Sequence, residues 1–171
     1  MTSHAPPLPY IVAATTQDER DLFALHRELY IEHRRAIIPP ELIPLYAYRD
    51  FERILQEDVR SLLRDTHAFV FVARIPGQKD NTLAGYTTGR LRHEGQRLLS
   101  PHGVIEDWYV RPSWRAKGIG KALYHAMEMC FRQLGCAVLE SATWGLNHDA
   151  RAIHNHLGFH EIEVKYRKRI D

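Results

Sequence analysis

One stretch limits the folds open to this chain more than any other: Val104–Lys121, reading VIEDWYVRPSWRAKGIGK. An apolar-rich strand pattern, Val104–Val110, runs into the turn Arg111-Pro112-Ser113-Trp114. The chain then passes Arg115-Ala116-Lys117-Gly118-Ile119-Gly120 and enters a long amphipathic helix pattern. A strand feeding a glycine-punctuated loop at a helix N-terminus is a phosphate-binding arrangement. The first N–H groups of the helix lack internal acceptors, and the helix dipole adds about half a positive charge there. Gly118 and Gly120 let the backbone curl and approach an oxygen with no Cβ in the way. The expected ligand therefore carries a phosphate and docks at residues 115–121.

The kind of phosphate ligand follows by comparison of motifs. The dinucleotide fingerprint G-x-G-x-x-G is absent, since the loop has glycines only at 118 and 120. The nucleoside-triphosphate loop fails twice. Arg115 stands where its first glycine belongs, and Ala122 stands where its magnesium-binding hydroxyl belongs. What remains is R-x-x-G-x-G after a strand, which resembles the pyrophosphate loop of the GNAT family of N-acetyltransferases, enzymes that use acetyl-CoA. A second phrase supports the resemblance. Asn147-His148-Asp149-Ala150 leads into a helix pattern ending His156-Leu157-Gly158-Phe159, similar to the family's N-x-x-A…G-F phrase at that place. By itself a Gly-x-Gly before a helix also describes a tight strand–helix turn; the second motif separates the two readings. The resemblance is strong over roughly residues 100–160 and rests on element order alone in the N-terminal half.

Composition narrows the class further. The chain has 171 residues, enough for one domain with a sizeable core. Residues 1–9, with Pro6, Pro7 and Pro9, are expected to be a loose lead-in to a single domain over 10–171. A formal net charge of +2 does not announce a nucleic-acid binder, and the basic run Lys165–Arg169 reads first as a solvated strand. Two cysteines, Cys130 and Cys136, make no disulfide framework and fit a reducing cytoplasm as small buried hydrophobes. No signal peptide and no membrane span is expected. Eleven histidines invite a metal reading, with His148, His154, His156 and His160 close in sequence. Zinc spacings are absent, and 154 and 156 fall on different helix faces, so no metal site is expected.

The hydrophobic pattern predicts a strand over Tyr10–Ala14 and a helix to about Arg35, capped by Thr16 or Asp18 and buried through Leu22, Leu25 and Leu29. Ile37–Tyr48 holds three prolines and reads as a loop. A helix from Asp50 to about Arg64 follows, with Phe51, Ile54, Leu55, Val59 and Leu62 inward. Ala68–Ile75 and Thr82–Arg92 form a hairpin about the turn Pro76–Asn81. The strand Gly103–Val110 precedes a helix Ile119–Leu134 with Leu123, Met127, Phe131 and Leu134 buried. Cys136–Thr143 is a strand, Asp149–Leu157 a helix, and Phe159 to about Ile170 a last strand. The order β-α-α-β-β-β-α-β-α-β describes an α/β fold, a mixed and largely antiparallel sheet flanked by helices. It is also the order of the GNAT family. Many members end in two strands, whereas this chain has room for one, so part of the acceptor site is expected to be short or to come from a partner subunit.

Acetyl transfer to an amine requires a positioned acyl donor, a deprotonated amine and a stabilised leaving thiolate. The resemblance implies that the backbone of Trp108, Tyr109 and Val110 pairs with the pantetheine arm. It implies that Arg115, Ala116, Lys117, Gly118, Ile119, Gly120 and Lys121 hold the pyrophosphate, and that Asn147 contacts the pantetheine, unless it only caps the following helix. Two carboxylates, Glu106 and Asp107, stand on the key strand, and strict alternation would send them to opposite faces. The phrase E-D-aromatic-aromatic-V resembles the polyamine-acetylating branch, which implies Glu106 as the base, with Asp107 and Trp108 holding a cationic acceptor. Many members place a tyrosine acid seven residues after the asparagine; here that position is His154. An imidazole, with a reference pKa of about 6.5 against about 10 for a phenol, can donate that proton; alternatively His154 contacts CoA without an acid role.

The expectation is thus an acetyl-CoA-dependent N-acetyltransferase acting on a small cationic amine, a polyamine or amino-sugar. It would act by direct attack in a ternary complex, and Tyr46 and Tyr48 would lie on a lid. A protein or peptide amine, or a non-catalytic acyl-CoA-binding module, remains the alternative. A homodimer is implied by the family resemblance.

Overall fold

A computed structural model describes residues 9–77 and 82–170. Residues 1–8 of the expected lead-in and 78–81 of the expected turn lie outside the described residues.

Five strands form one sheet in sequence order: β1 (Tyr10–Ala13), β2 (Ala68–Arg74), β3 (Leu83–Arg92), β4 (His102–Val110) and β5 (Val138–Ser141). The first three pairings are antiparallel, and β4 pairs β5 in parallel. Helices α1 (Glu19–Ala36) and α2 (Phe51–Arg64) join β1 to β2, α3 (Ile119–Gln133) joins β4 to β5, and α4 (His148–His156) follows β5. The mixed, mostly antiparallel sheet flanked by helices is the architecture expected from the sequence.

Both faces of the sheet are covered by the apolar stripes read from the sequence. Leu22, Leu25 and Leu29 of α1 and Val59 and Leu62 of α2 pack with Val70, Val72, Tyr86 and Tyr109 on one face. On the other face Leu123 of α3 packs with Ala73 and Ala84, while Met127 and Phe131 pack with Ile105. Each such leucine taken fully out of water contributes roughly 1.5–3 kcal/mol. Phe131 lies flat against β4 because residue 103 is glycine: a Cβ there would stand 2.4 Å from the ring.

Local chemistry places the helix starts. Asp18, one of the two expected candidates, is the N-cap residue of α1, and the short 3₁₀ turn Thr16–Asp18 that leads into it is capped by Thr15. Its hydroxyl accepts the Gln17 N–H at 3.3 Å, and the Asp18 carboxylate accepts the Thr15 N–H at 2.7 Å. Asp18 is fully buried yet balanced by Arg74 at 2.7 Å. Asp50 caps α2 through the Arg53 N–H. Arg111, one residue beyond β4, clamps Glu28 of α1 at 2.8 and 2.9 Å and donates to the Leu83 carbonyl, which locks α1 over the end of the key strand.

Four expectations change. No strand follows α4 among the described residues: 160–170 run exposed and without a ladder, with Arg167 donating to the Leu45 carbonyl at 2.7 Å and Glu161 paired with Arg151 at 2.8 Å. Residues 37–48 contain a 3₁₀ helix, Pro40–Leu45, in which proline supplies the required φ and lacks only an N–H that the first turn does not use. Leu134 is 40% exposed, since it falls at the helix end beyond the buried stripe. Cys130 and Cys136 are half-buried rather than enclosed, and burial still raises both thiol pKa values.

Candidate active site

The sheet contains a fork. Pairing of β4 with β5 ends at Ile105↔Ser141, while β4 runs on to Val110. Along this stretch Asp107 and Arg111 make their backbone bonds to β3, where Asp107 donates to Thr88 and Arg111 to the Ala84 carbonyl. By alternation the backbone groups of Trp108 and Val110 face the open side, past the end of β5. An extended arm entering the fork finds a strand edge there, at the residues expected to pair with pantetheine. A cleft at this fork is lined by Ile105, Asp107, Trp108, Ser141, Asn147 and His154. A larger hollow bounded by Thr16, Arg20, Phe23 and Gln56 includes no residue of the loop or fork.

Below the fork, the loop has the backbone of an anion cradle. Ala116 has φ +58°, the sole positive value among described non-glycine residues, and Gly118 follows at +79°. The first ladder bond of α3 runs from the Ala122 N–H to the Gly118 carbonyl, so the amides of 119–121 precede the helix's own acceptors. These amides with Lys117 and Lys121 fit a pyrophosphate. The Arg115 side chain is directed elsewhere. It donates to the Val110 carbonyl at 2.9 Å and to Glu32 of α1 at 2.7 and 2.8 Å, and it lies over the Tyr109 ring. Tyr109 is turned into the core with its hydroxyl on Glu32; burial pushes its pKa up to about 12. Trp108 Nε1 donates to the Gly120 carbonyl at 3.1 Å, joining the key strand to the first turn of α3. Lys117 donates to the Ser113 carbonyl and sits over Trp114.

The two carboxylates share a face, contrary to simple alternation. Thr88 pairs Asp107 whereas Gly89 pairs Ile105, so Glu106 is an extra residue, a bulge, in β4. Asp107 bonds Thr88, and Glu106 bonds Arg90 at 2.9 Å. Thr88 and Arg90 stand two apart on β3 and point the same way. The bulge is sealed by hydroxyls: Thr87 donates to the Asp107 carbonyl at 2.9 Å, and Thr88 accepts the Asp107 N–H at 3.0 Å.

Their surroundings differ. Glu106 is balanced by Arg90, which also pairs with Asp65, and by Arg92 at 3.7 Å. Asp107, with 17% of its side chain exposed, has the Thr88 hydroxyl at 3.1 Å and His26 at 3.8 Å. Burial lowers the His26 pKa to about 4, so that ring is neutral near pH 7 and brings no countercharge. Burial, offset by the Thr88 hydrogen bond and reinforced by Asp58, raises the Asp107 pKa to about 6. His26, Tyr86 and Tyr30 were not legible as site residues from the sequence. They surround Asp107 from α1 and β3, with His26 Nδ1 2.8 Å from the Tyr86 hydroxyl.

On the far wall, Asn147 caps α4: its Oδ1 accepts the Ala150 N–H at 3.1 Å, leaving its amide nitrogen for a ligand. His154 is packed edge-on to Trp108 and Phe159. Its Nδ1 lies 2.6 Å from the Ala150 carbonyl and its Nε2 2.8 Å from the Ser141 hydroxyl. Tyr46 packs edge-on against Trp144 at 4.5 Å, and Tyr48 lies 6.0 Å from Tyr30. Among the described residues no group of three or more His, Cys, Asp or Glu side chains converges as metal ligands, and no helix is long and apolar enough to cross a membrane.

The acetyltransferase (GNAT) family model matches residues 23–159, and the chain belongs to that family. It is an N-acetyltransferase, and acetyl-CoA is the co-substrate that its loop and fork fit. The aminoglycoside N(6')-acetyltransferase type 1 of Stenotrophomonas maltophilia is 35% identical over 109 residues, 63% of this chain and 69% of that one. The enzyme of the same name from Salmonella typhimurium is 32% identical over 124 residues, 70% and 77% of the two chains. Among solved structures, the aminoglycoside N-acetyltransferase AAC(6')-Iy in complex with CoA has a TM-score of 0.73 at 23% identity, covering 99% of this chain and 100% of that one. A tetramutant of the BH1408 protein of Bacillus halodurans has a TM-score of 0.76 at 17% identity, covering 94% and 99%. These two structures share the fold. The sequence relatives are named for aminoglycosides, and the resemblance to the polyamine branch finds no counterpart in them.

Proposed function

We propose that this chain moves the acetyl group of acetyl-CoA to a primary amine of a small polycationic acceptor, an amino-sugar ahead of a polyamine. Transfer occurs by direct attack within a ternary complex. The observation that carries this reading is the bulge at Glu106, which turns two carboxylates with unequal surroundings toward one face beside the fork. Two acidic groups on one face suit a ligand with several ammonium groups. The names of the sequence relatives favour an amino-sugar.

Within this reading the roles of the carboxylates exchange relative to the sequence expectation. Asp107, with a pKa near 6, takes the ammonium proton, directly or through one water. Glu106, paired with Arg90, holds a second ammonium group of the acceptor. Environments that push two carboxylates apart commonly divide acid–base work in this way. Trp108 and Val110 position the pantetheine, a Trp108 amide polarises the thioester carbonyl, and the amides of 119–121 with Lys117 and Lys121 hold the pyrophosphate. The Arg115 side chain braces the loop against α1. The unit is one domain over residues 10–171, working in a reducing cytoplasm.

A second copy of the chain belongs to the same proposal. Ile162, Val164, Tyr166 and Ile170 are 84%, 62%, 89% and 91% exposed, and the first three alternate with charged residues as a strand would. Among the described residues, none pairs with the outer edge of β5. A strand-patterned segment and an open edge within one chain suit exchange between two copies.

The test is thiol release from acetyl-CoA across a panel of aminoglycosides, polyamines and lysine peptides. Release with aminoglycosides supports the reading. Release only with peptides replaces it with a protein acetyltransferase, and CoA binding without release replaces it with a binding module.

A further inference from the structure

Both nitrogens of His154 are engaged. A carbonyl only accepts, so the 2.6 Å contact with Ala150 places a proton on Nδ1. Nε2 faces the Ser141 hydroxyl at 2.8 Å. The ring is held in that setting between Trp108 and Phe159. His154 therefore cannot itself present an N–H to a leaving group in the cleft. The group at the end of the chain is Ser141, which also lines the cleft. Ser141 is the last residue of β5 and sits opposite Ile105 where the two strands part.

From this geometry we infer that Ser141 is the proton donor to the leaving thiolate, with His154 as its source. The inference rests on the acetyl-transfer reading above. With the ring neutral, the Ser141 O–H points at Nε2 and away from the cleft. With the ring cationic, Nε2–H donates to Oγ, and the hydroxyl proton turns outward. The amine nitrogen then bonds to the thioester carbon, and the C–S bond breaks with its electron pair on sulfur. Sulfur takes the Ser141 proton as Oγ takes the one from Nε2. Serine ends unchanged, the imidazole ends neutral, and solvent recharges it. Serine is the group that acts on sulfur, and histidine acts through it.

The experiment compares wild type, Ser141→Ala and Ser141→Thr with two acetyl donors, acetyl-CoA and the acetyl thioester of 5-mercapto-2-nitrobenzoate. The second thiol is acidic enough to leave without a proton. Removing a general acid typically costs about 10²-fold or more, so Ser141→Ala should lose about that factor in kcat with acetyl-CoA. The deficit should nearly vanish with the acidic donor, Ser141→Thr should restore most of the rate, and CoA affinity by calorimetry should be unchanged. Independently of turnover, the ¹⁵N shift of His154 Nε2 should move in Ser141→Ala. An unchanged rate in Ser141→Ala, an equal loss with both donors, or an unmoved ¹⁵N shift would overturn the relay while leaving acetyl transfer intact. A wild type that binds CoA and releases no thiol with any amine would overturn the acetyl-transfer reading and the relay together.

Discussion

Thr88 and Asp107 hold each other twice across the bulge between β3 and β4. The threonine hydroxyl donates to the carboxylate at 3.1 Å and accepts the aspartate's own N–H at 3.0 Å. One hydroxyl thus supplies the ladder bond lost at the bulge and fixes the rotamer of an acidic group that has no cation against it.

Asp107→Asn is expected to lower kcat by about 10²-fold or more, as for loss of a general base. In the wild type the rate should fall below about pH 6 as the carboxyl gains its proton. Stability should move oppositely. The folded pKa lies above the reference of 3.8, so the folded state binds the extra proton between these values and wild-type stability falls as pH rises through that window. Asp107→Asn should therefore be more stable than wild type at pH 7, by at most about 3 kcal/mol, with the gain shrinking toward pH 4. Rate profiles and thermal melts from pH 4 to 8 check both limbs. A pH-independent melting difference would contradict the assignment.

Glu106→Gln separates the two carboxylates. It is expected to raise the acceptor KM more than it lowers kcat, since Glu106 is assigned to holding a cation. A loss confined to kcat, largest at low pH, would return the base role to Glu106.

Two loop substitutions should behave unlike each other. A Cβ at Gly120 has ordinary room, 3.7 Å from Trp108 Nε1, so Gly120→Glu should fold and fail to bind CoA because its carboxylate meets the pyrophosphate. Arg115→Ala should bind CoA within about threefold of wild type and lose little stability, since exposed ion pairs contribute about 0–1 kcal/mol. Calorimetry decides: equal losses in the two variants would make the Arg115 guanidinium a phosphate ligand.

Gly103→Ala is expected to destabilise the fold by about 1–3 kcal/mol, because its methyl group would press into the Phe131 ring. Pairing it with Phe131→Leu should recover part of the loss, as chemical denaturation would register.

Ile162→Lys with Tyr166→Lys should shift the sedimentation of the protein toward the monomer while CoA binding persists. A wild type that sediments as a monomer at micromolar concentration would rule out strand exchange.

The sequence was most legible where one residue type answers one physical need. Leu22, Leu25, Val59 and Leu62 read as core because their spacing matches the helix, and they are core. The 115–121 loop read as an anion cradle because glycine and a helix start announce one. The carboxylate geometry was misread because nothing in Ile105-Glu106-Asp107 signals a bulge: it depends on the Thr87 and Thr88 hydroxyls, contributed from another strand. Arg115 read as a phosphate ligand because its partner, Glu32, lies 83 residues away in the chain. The neutral His26 beside Asp107 was invisible for the same reason, as an i+4 position on a helix otherwise full of charge. Residues 160–170 have the pattern of a strand, and pattern alone does not say whose edge it joins.

The fork between β4 and β5 makes this a sheet that is unfinished when empty. Past Ser141 the exposed edge of β4 keeps its hydrogen-bonding capacity for an extended guest, so the guest acts as a removable part of the architecture. Folding and loading then share one free energy. Each tenfold excess of ligand over its dissociation constant adds about 1.4 kcal/mol to the stability of the whole chain. A melting temperature that climbs with the logarithm of CoA concentration would measure how completely a ligand can substitute for a strand.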